Sequence, residues 1–212
     1  IPHTKFICRP NSKMSYSNVG YAFLALAMSR AANTPYIKLI TEKIFIPLKM
    51  NNTYFEVPES KLNYLADGTC DVGMFNHKNT KVPKKEHKGI GNNLPSGGIY
   101  STASDLTKFL TVLMGTSKQK IISDTSLRLM QKGIMKYPDA IRRTFKDVEY
   151  GLGTVVYHLD NDVTVFAHSG SLPGYWTTYA FDNKKKIAVL IMLNYDKHLD
   201  NEGTVVKILN QL

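Results

Sequence analysis

Hydrophobic and polar positions divide this chain into two regimes. Before about Tyr150 the apolar residues recur at helical spacing; after it they alternate or run on as strands do. Asn18 to Ala32 is mostly Ala, Leu, Phe and Met, apolar on nearly every side, and predicts a buried helix. Thr34 and Pro35 read as the cap and first position of a second helix, which carries Ile37, Ile40, Ile44 and Phe45 and stops before Pro47. Thr102 to Asp105 resembles a capping box with Asp in place of Glu. It opens a helix with Leu106, Phe109, Leu110 and Leu113 on one face. A shorter helix from about Asp124 to Lys132 closes at Gly133.

The strand regime predicts Gly153 to His158, Val163 to His168, Tyr175 to Phe181 and Ile187 to Asn194, with Asp182 to Lys185 turning a hairpin between the last two. Ile187 to Leu193 is apolar throughout and predicts a strand covered on both faces. Glu202 to Leu212 reads as a terminal helix with Val205, Ile208 and Leu209 on one side. The fold class that follows is α+β: an antiparallel sheet flanked by helices and joined to a helical lobe. Residues 1–150 form the lobe, and 151–212 form the sheet and last helix of the same domain.

Composition narrows this picture without redirecting it. The 43% hydrophobic and 21% charged fractions suit a globular chain and exclude disordered, collagenous or low-complexity classes. The uncharged run Met14 to Ser29 is too short and too polar to span a bilayer. A net charge of +10 suits nucleic acid, an anionic surface, or solubility alone. The lysines are spread along the chain. The one dense cluster, Lys78, Lys81, Lys84, Lys85 and Lys88, lies in an aperiodic stretch that reads as a solvated loop, so nucleic acid is not the expected partner. Cys8 and Cys70 allow one disulfide at most, and no CxxC is present. The chain opens on Ile1 with no initiator Met and no signal segment, so it reads as a fragment or a processed piece.

Most motifs of catalysis are missing. HExxH, GxSxG and GxxxxGK do not occur, Gly89 to Gly91 lacks the third glycine and the leading strand of a dinucleotide loop, and the histidines have no metal-ligand spacing. No metal or cofactor is expected. Two stretches stand out. Tyr16-Ser17-Asn18 stands at a helix entrance, where a Tyr is ordinarily core and an Asn a cap. His168-Ser169-Gly170-Ser171 stands at a strand end, where a Gly ordinarily marks a bulge or a close backbone approach.

Taken in order, four segments resemble the serine β-lactamase-like superfamily, which includes class C β-lactamases, penicillin-binding DD-peptidases and related esterases. Tyr16 to Tyr21 (YSNVGY) resembles its Tyr-x-Asn box. Ile46 to Thr53 resembles its PLGM..T segment, with Lys49 where Gly is usual. Pro95 to Leu106 is similar to its AGGLYSTAxDL segment, and His168 to Gly170 to its third box, ordinarily Lys-Thr-Gly.

The resemblance implies acyl transfer. Tyr16 would be general base and acid, Asn18 would hold the substrate amide, and His168 would orient Tyr16 and the substrate carboxylate. Ser169, Gly170 and Ser171 would line the substrate, with the Ser171 N–H as an oxyanion donor worth about 3 kcal/mol. A Tyr with an ordinary pKa near 10 needs a shift of about three units, roughly 4 kcal/mol, from nearby positive charge to serve as a base at neutrality. The superfamily supplies it from the Lys of a Ser-x-x-Lys segment upstream of the Tyr-x-Asn box and from the Lys of the third box, where this chain has His168. The one such match here, Ser117 to Lys120, comes after that box and reads as a polar loop. The expectation is the C-terminal part of a serine hydrolase acting on amide, ester or β-lactam substrates and inactive alone, its missing N-terminal segment needed to complete the fold. A small molecule or peptide is the expected substrate, a cell-wall peptide above all. A periplasmic, extracellular or envelope setting is implied by the same resemblance. The rivals are a non-catalytic module that binds acyl-peptide or cell-wall ligands and a basic surface-binding protein.

Overall fold

A computed structural model describes residues 8–70, 80–82, 94–137, 145, 147–159, 162–196 and 201–212. The Gly89 to Gly91 stretch and most of the lysine cluster lie outside them. Cys8 and Cys70 are not joined in a disulfide.

Helix α1 (Asn18–Ala31) starts where the Ser17 hydroxyl accepts the Gly20 N–H at 3.0 Å. The expectation of a buried helix is corrected. Of its residues only Ala25 is buried, and Phe23, Leu24 and Leu26 are about half exposed (51%, 52% and 47%). Its apolar character is real, but its main neighbours among the described elements are two short helices, α2 (Tyr36–Ile40) and α3 (Leu94–Gly97). Those cover a fraction of a surface that is apolar all round. Thr34 does not cap α2; its hydroxyl turns back to the Ala32 carbonyl, and Pro35 stands at the cap. The helix widens into a π-turn over Thr41–Phe45, and Phe45, Leu48, Met50, Phe55 and Val112 make a small core beneath it. Lys49, where Gly was expected, has φ +53°, a left-handed conformation that disfavours any side chain but glycine's hydrogen.

A 3₁₀ turn (Glu59–Tyr64) leads to a two-stranded ribbon that the hydrophobic pattern did not predict, β1 (Gly68–Cys70) antiparallel to β2 (Thr80–Val82). Helix α4 (Ala103–Leu113) follows. The Thr102 hydroxyl accepts the Asp105 N–H as expected, but the other half of the capping box is absent. Asp105 is 1% exposed and faces inward. It accepts the Asn52 N–H at 2.7 Å, the Thr53 hydroxyl at 3.1 Å and the Lys108 ammonium at 2.8 Å. One carboxylate thus ties the PLxM..T segment to the STASDL segment. Burial pushes the Asp105 carboxyl up, but these three donors outweigh it and hold it below the usual carboxylate range.

Helix α5 (Asp124–Met130), capped by Ser123, precedes a six-stranded sheet. Its strands β3 (Met135–Lys136), β4 (Val148–Tyr150), β5 (Val155–His158), β6 (Thr164–Leu172), β7 (Tyr175–Asp182) and β8 (Ile187–Leu193) pair antiparallel in chain order. A division at residue 150 would therefore pass through the sheet. Helix α6 (Asn201–Gln211) closes the chain.

Strand alternation sorts the core into two layers. Val155, Tyr157, Val165, Ala167 and Ala180 pack with Val205, Val206 and Leu209 of α6. Val156, Phe166 and Phe181 pack on the opposite face with Leu110, Leu113 and Leu127 of α4 and α5. Edge strand β8 has α6 and α4 against it and is half-buried along most of its length, which accounts for its unbroken apolar run. No helix of the described residues is long and apolar enough to cross a membrane.

Candidate active site

Strand β6 outruns its neighbour. β5 pairs with it only from Thr164 to Ala167, because the chain before β5 is folded back in a tight turn. There the Gly151 N–H donates to the Thr154 carbonyl at 2.7 Å, and Gly153 takes φ +77°. His168 to Leu172 therefore stay paired to β7 on one side while no β5 residue pairs with them on the other. The expected strand end is corrected: His168 to Ser171 lie within the strand, and the turn comes at Pro173 and Gly174, the latter at φ +82°.

All six candidate residues, Tyr16, Asn18, His168, Ser169, Gly170 and Ser171, line one groove of about 580 Å³. Ser96 and Gly97 of α3 and Tyr175 and Thr177 of β7 complete its walls. A Cβ placed on Gly170 would meet nothing within 4 Å, so that glycine keeps the groove floor clear and relieves no internal crowding. A smaller pocket of about 240 Å³ opens where Tyr16, Tyr150, His168, Ser169 and Glu202 converge.

Two of these side chains have partners that the sequence did not indicate. The His168 Nε2 lies 3.2 Å from the Tyr150 hydroxyl. The Tyr16 ring in turn meets the Tyr150 ring edge-on, centroids 6.1 Å apart. Tyr150 thus meets both of the residues that were expected to touch. Ser169, one position along an alternating strand, turns its hydroxyl to the helix side and donates to Glu202 Oε2 at 2.5 Å. The Tyr157 hydroxyl donates to the other oxygen of the same carboxylate, which is only 4% exposed. Tyr150 and Glu202 escaped the sequence reading. A lone Tyr before a turn and a lone Glu in an amphipathic helix carry no spacing signal.

The electrostatics are those of an acid. Burial first, then Tyr21, Tyr137 and the Glu202 carboxylate, push the Tyr16 phenol above its ordinary range. Tyr150 is pushed up further by burial and by its tyrosine neighbours, and Tyr179, across from His168 on β7, by burial and Glu202. The Ser-x-x-Lys match at Ser117 lies in the loop after α4. Its Lys120 pairs with Asp124 at 3.3 Å, and neither residue lines the groove.

The architecture is that of the serine β-lactamase and penicillin-binding proteins. It superposes on the octameric penicillin-binding protein homologue from Pyrococcus abyssi with a TM-score of 0.79 at 24% identity, covering 97% of this chain and 44% of that one. The β-lactamase family model matches residues 2–208, and the chain belongs to that family, within the serine hydrolase superfamily. It is 32% identical to Beta-lactamase-like protein 2 of Dictyostelium discoideum over 87% of this chain and 32% of that protein. It is 25% identical to Penicillin-binding protein 4* of Bacillus subtilis (strain 168) over 93% of this chain and 43% of that protein. The chain thus spans less than half the length of these relatives.

Proposed function

We propose that this chain supplies most of the acyl-transfer site of a serine hydrolase acting on amide, ester or β-lactam carbonyls, and that it does not turn over substrate alone. The observation that carries the reading is the single groove in which Tyr16, Asn18 and the open edge of β6 meet, although they come from distant parts of the chain. In the reaction a Ser hydroxyl attacks the substrate carbonyl. Its proton passes to Tyr16, which must be ionised to take it and returns it to the leaving group; water then releases the acyl group by the reverse path. Asn18 holds the substrate amide, His168 orients the substrate, and the Ser171 N–H receives the oxyanion.

The Ser and an accompanying Lys are assigned to a segment outside these 212 residues. Two features support that assignment. Burial, Tyr21, Tyr137 and Glu202 all raise the Tyr16 pKa, and a cation from another segment would offset them and let Tyr16 act as a base near neutrality. The half-exposed Phe23, Leu24 and Leu26 give such a segment an apolar seat beside Tyr16. The raised Tyr16 also favours one rival, a module that binds acyl-peptide ligands without turnover.

Covalent labelling by a fluorescent penicillin or a fluorophosphonate decides between them. A polypeptide in which a Ser-x-x-Lys segment precedes these 212 residues should label. Its Tyr16→Phe variant should label at least about 100-fold more slowly, and the 212 residues alone not at all. A folded full polypeptide that binds ligand but never labels would make the chain a binding module.

A further inference from the structure

The acyl-transfer reading, on which this inference rests, leaves open which substrates the groove accepts, and the charges around it bear on that. Glu202 stands in the first turn of α6, with its carboxylate 4% exposed. Both of its oxygens accept hydroxyl protons, one from Tyr157 and the other, at 2.5 Å, from Ser169. Ser169 lines the groove, so the carboxylate sits directly behind the groove wall. The groove and the smaller pocket share Tyr16, His168 and Ser169 as lining residues. Among the described residues that line either cavity, none is Lys or Arg, His168 is the one imidazole and Glu202 the one carboxylate. An anion leaves water at little cost only where a cation or uncommitted donors receive it. A substrate carboxylate brought to this wall would find the Ser169 proton already given to Glu202 and a like charge behind it.

We propose that Glu202 is a specificity-determining residue that turns away substrates carrying a carboxylate on the leaving group, so that the groove takes uncharged esters or amides. Its charge already reaches the groove, since it is one of the groups that hold the Tyr16 phenol up. The discrimination runs against the charge of the whole chain. A net +10 draws anions from a distance. A preference for uncharged substrates must therefore come from groups close to the groove, and Glu202 is the one with the required sign.

The test is a series of three esters with one acyl group and phenyl, m-carboxyphenyl or m-(aminomethyl)phenyl as the leaving group, given to the polypeptide in which a Ser-x-x-Lys segment precedes these residues. Rates are read at about pH 8, above the ordinary imidazole pKa of about 6.5. kcat/KM for the carboxylated ester should be at least about 10-fold below that for the phenyl ester, while the aminomethyl ester should be no slower than the phenyl ester. Glu202→Gln removes the charge and should narrow the gap between the carboxylated and phenyl esters at least about threefold. A merely structural role would lower both rates alike and leave their ratio unmoved. Three results overturn the proposal: a carboxylated ester processed as fast as the phenyl ester or faster, equal slowing of both charged esters, or a folded Glu202→Gln variant that keeps the original ratio. If Glu202→Gln does not fold, the three esters decide alone. If no ester is turned over, their Kd values from calorimetry are judged by the same criteria, and failure of all three to bind overturns the proposal. Labelling by the fluorophosphonate without the expected ester order removes this specificity and keeps the acyl-transfer reading. The expected order in Kd without labelling or turnover does the reverse.

Discussion

Ser169 gives its hydroxyl proton to Oε2 of Glu202 at 2.5 Å, which fastens the third-box strand to the last helix of the chain. The carboxylate is 4% exposed and takes Tyr157 on its other oxygen, so both donors rely on one buried acceptor. Hydrogen bonds to a charged group are worth roughly 1.5–3 kcal/mol each, and a stranded buried donor costs about as much. Glu202→Gln, which replaces one acceptor oxygen by a donor, should lower unfolding free energy by about 2 kcal/mol, and Ser169→Ala by about 1 kcal/mol. The double variant should lose about 1 kcal/mol less than the sum, read from urea denaturation. Strict additivity would show that the two residues do not share this bond.

Asp105 makes a pH-dependent contribution whose sign follows from its depressed pKa. The group is ionised in the folded chain to a lower pH than in the unfolded one. Its contribution is therefore full above the unfolded value of about 4 and fades as pH falls through the folded value. Asp105→Asn should cost about 3 kcal/mol at pH 7, because the Lys108 ammonium and the Thr53 and Asn52 donors lose their charged acceptor. The gap between wild type and variant should narrow steadily below about pH 4. A gap constant with pH would mean that the carboxylate's charge is immaterial.

The open face of α1 gives a contrast between two apolar substitutions. Leu209 is 1% exposed between α6 and the sheet, and Leu209→Ala should cost about 2–5 kcal/mol. Phe23 is 51% exposed, and Phe23→Ser should cost less than about 0.5 kcal/mol in these 212 residues. The same change should become several-fold costlier in a polypeptide whose added segment covers α1. Equal losses for Phe23→Ser in both settings would remove the proposed seat.

Tyr16 should ionise above pH 10 in this chain, since burial and the nearby Glu202 charge both oppose the phenolate. Ultraviolet titration against a Tyr16→Phe control reads this directly. His168→Lys places a permanent cation in the same pocket and should draw the Tyr16 midpoint down, by about one unit. If the midpoint stays where it was, position 168 does not sense Tyr16.

How far the chain could be read without coordinates differs from element to element, and for physical reasons. The strands β5 to β8 and the turn at Asp182 fall within a few residues of expectation. Alternation at period two states which face is buried, and that survives any choice of partner. Thr102 caps α4 as expected because capping is settled within one turn of backbone. The groove-lining residues Tyr16, Asn18 and His168 to Ser171 were marked by the resemblance of four segments, in order along the chain, to the serine β-lactamase-like superfamily.

Burial of α1 was not readable, since an apolar surface says that something should cover it but not whether the described elements do. The same holds for Asp105, which half-matches a capping box yet spends its carboxylate on Asn52 and Thr53, and for the face to which Ser169 turns. Tyr150 and Glu202 enter the site from β4 and α6 only because the sheet brings their ends beside His168. Local spacing encodes backbone conformation and the side a residue prefers. The partner it meets there depends on how elements far apart in the chain pack, and no short-range pattern carries that.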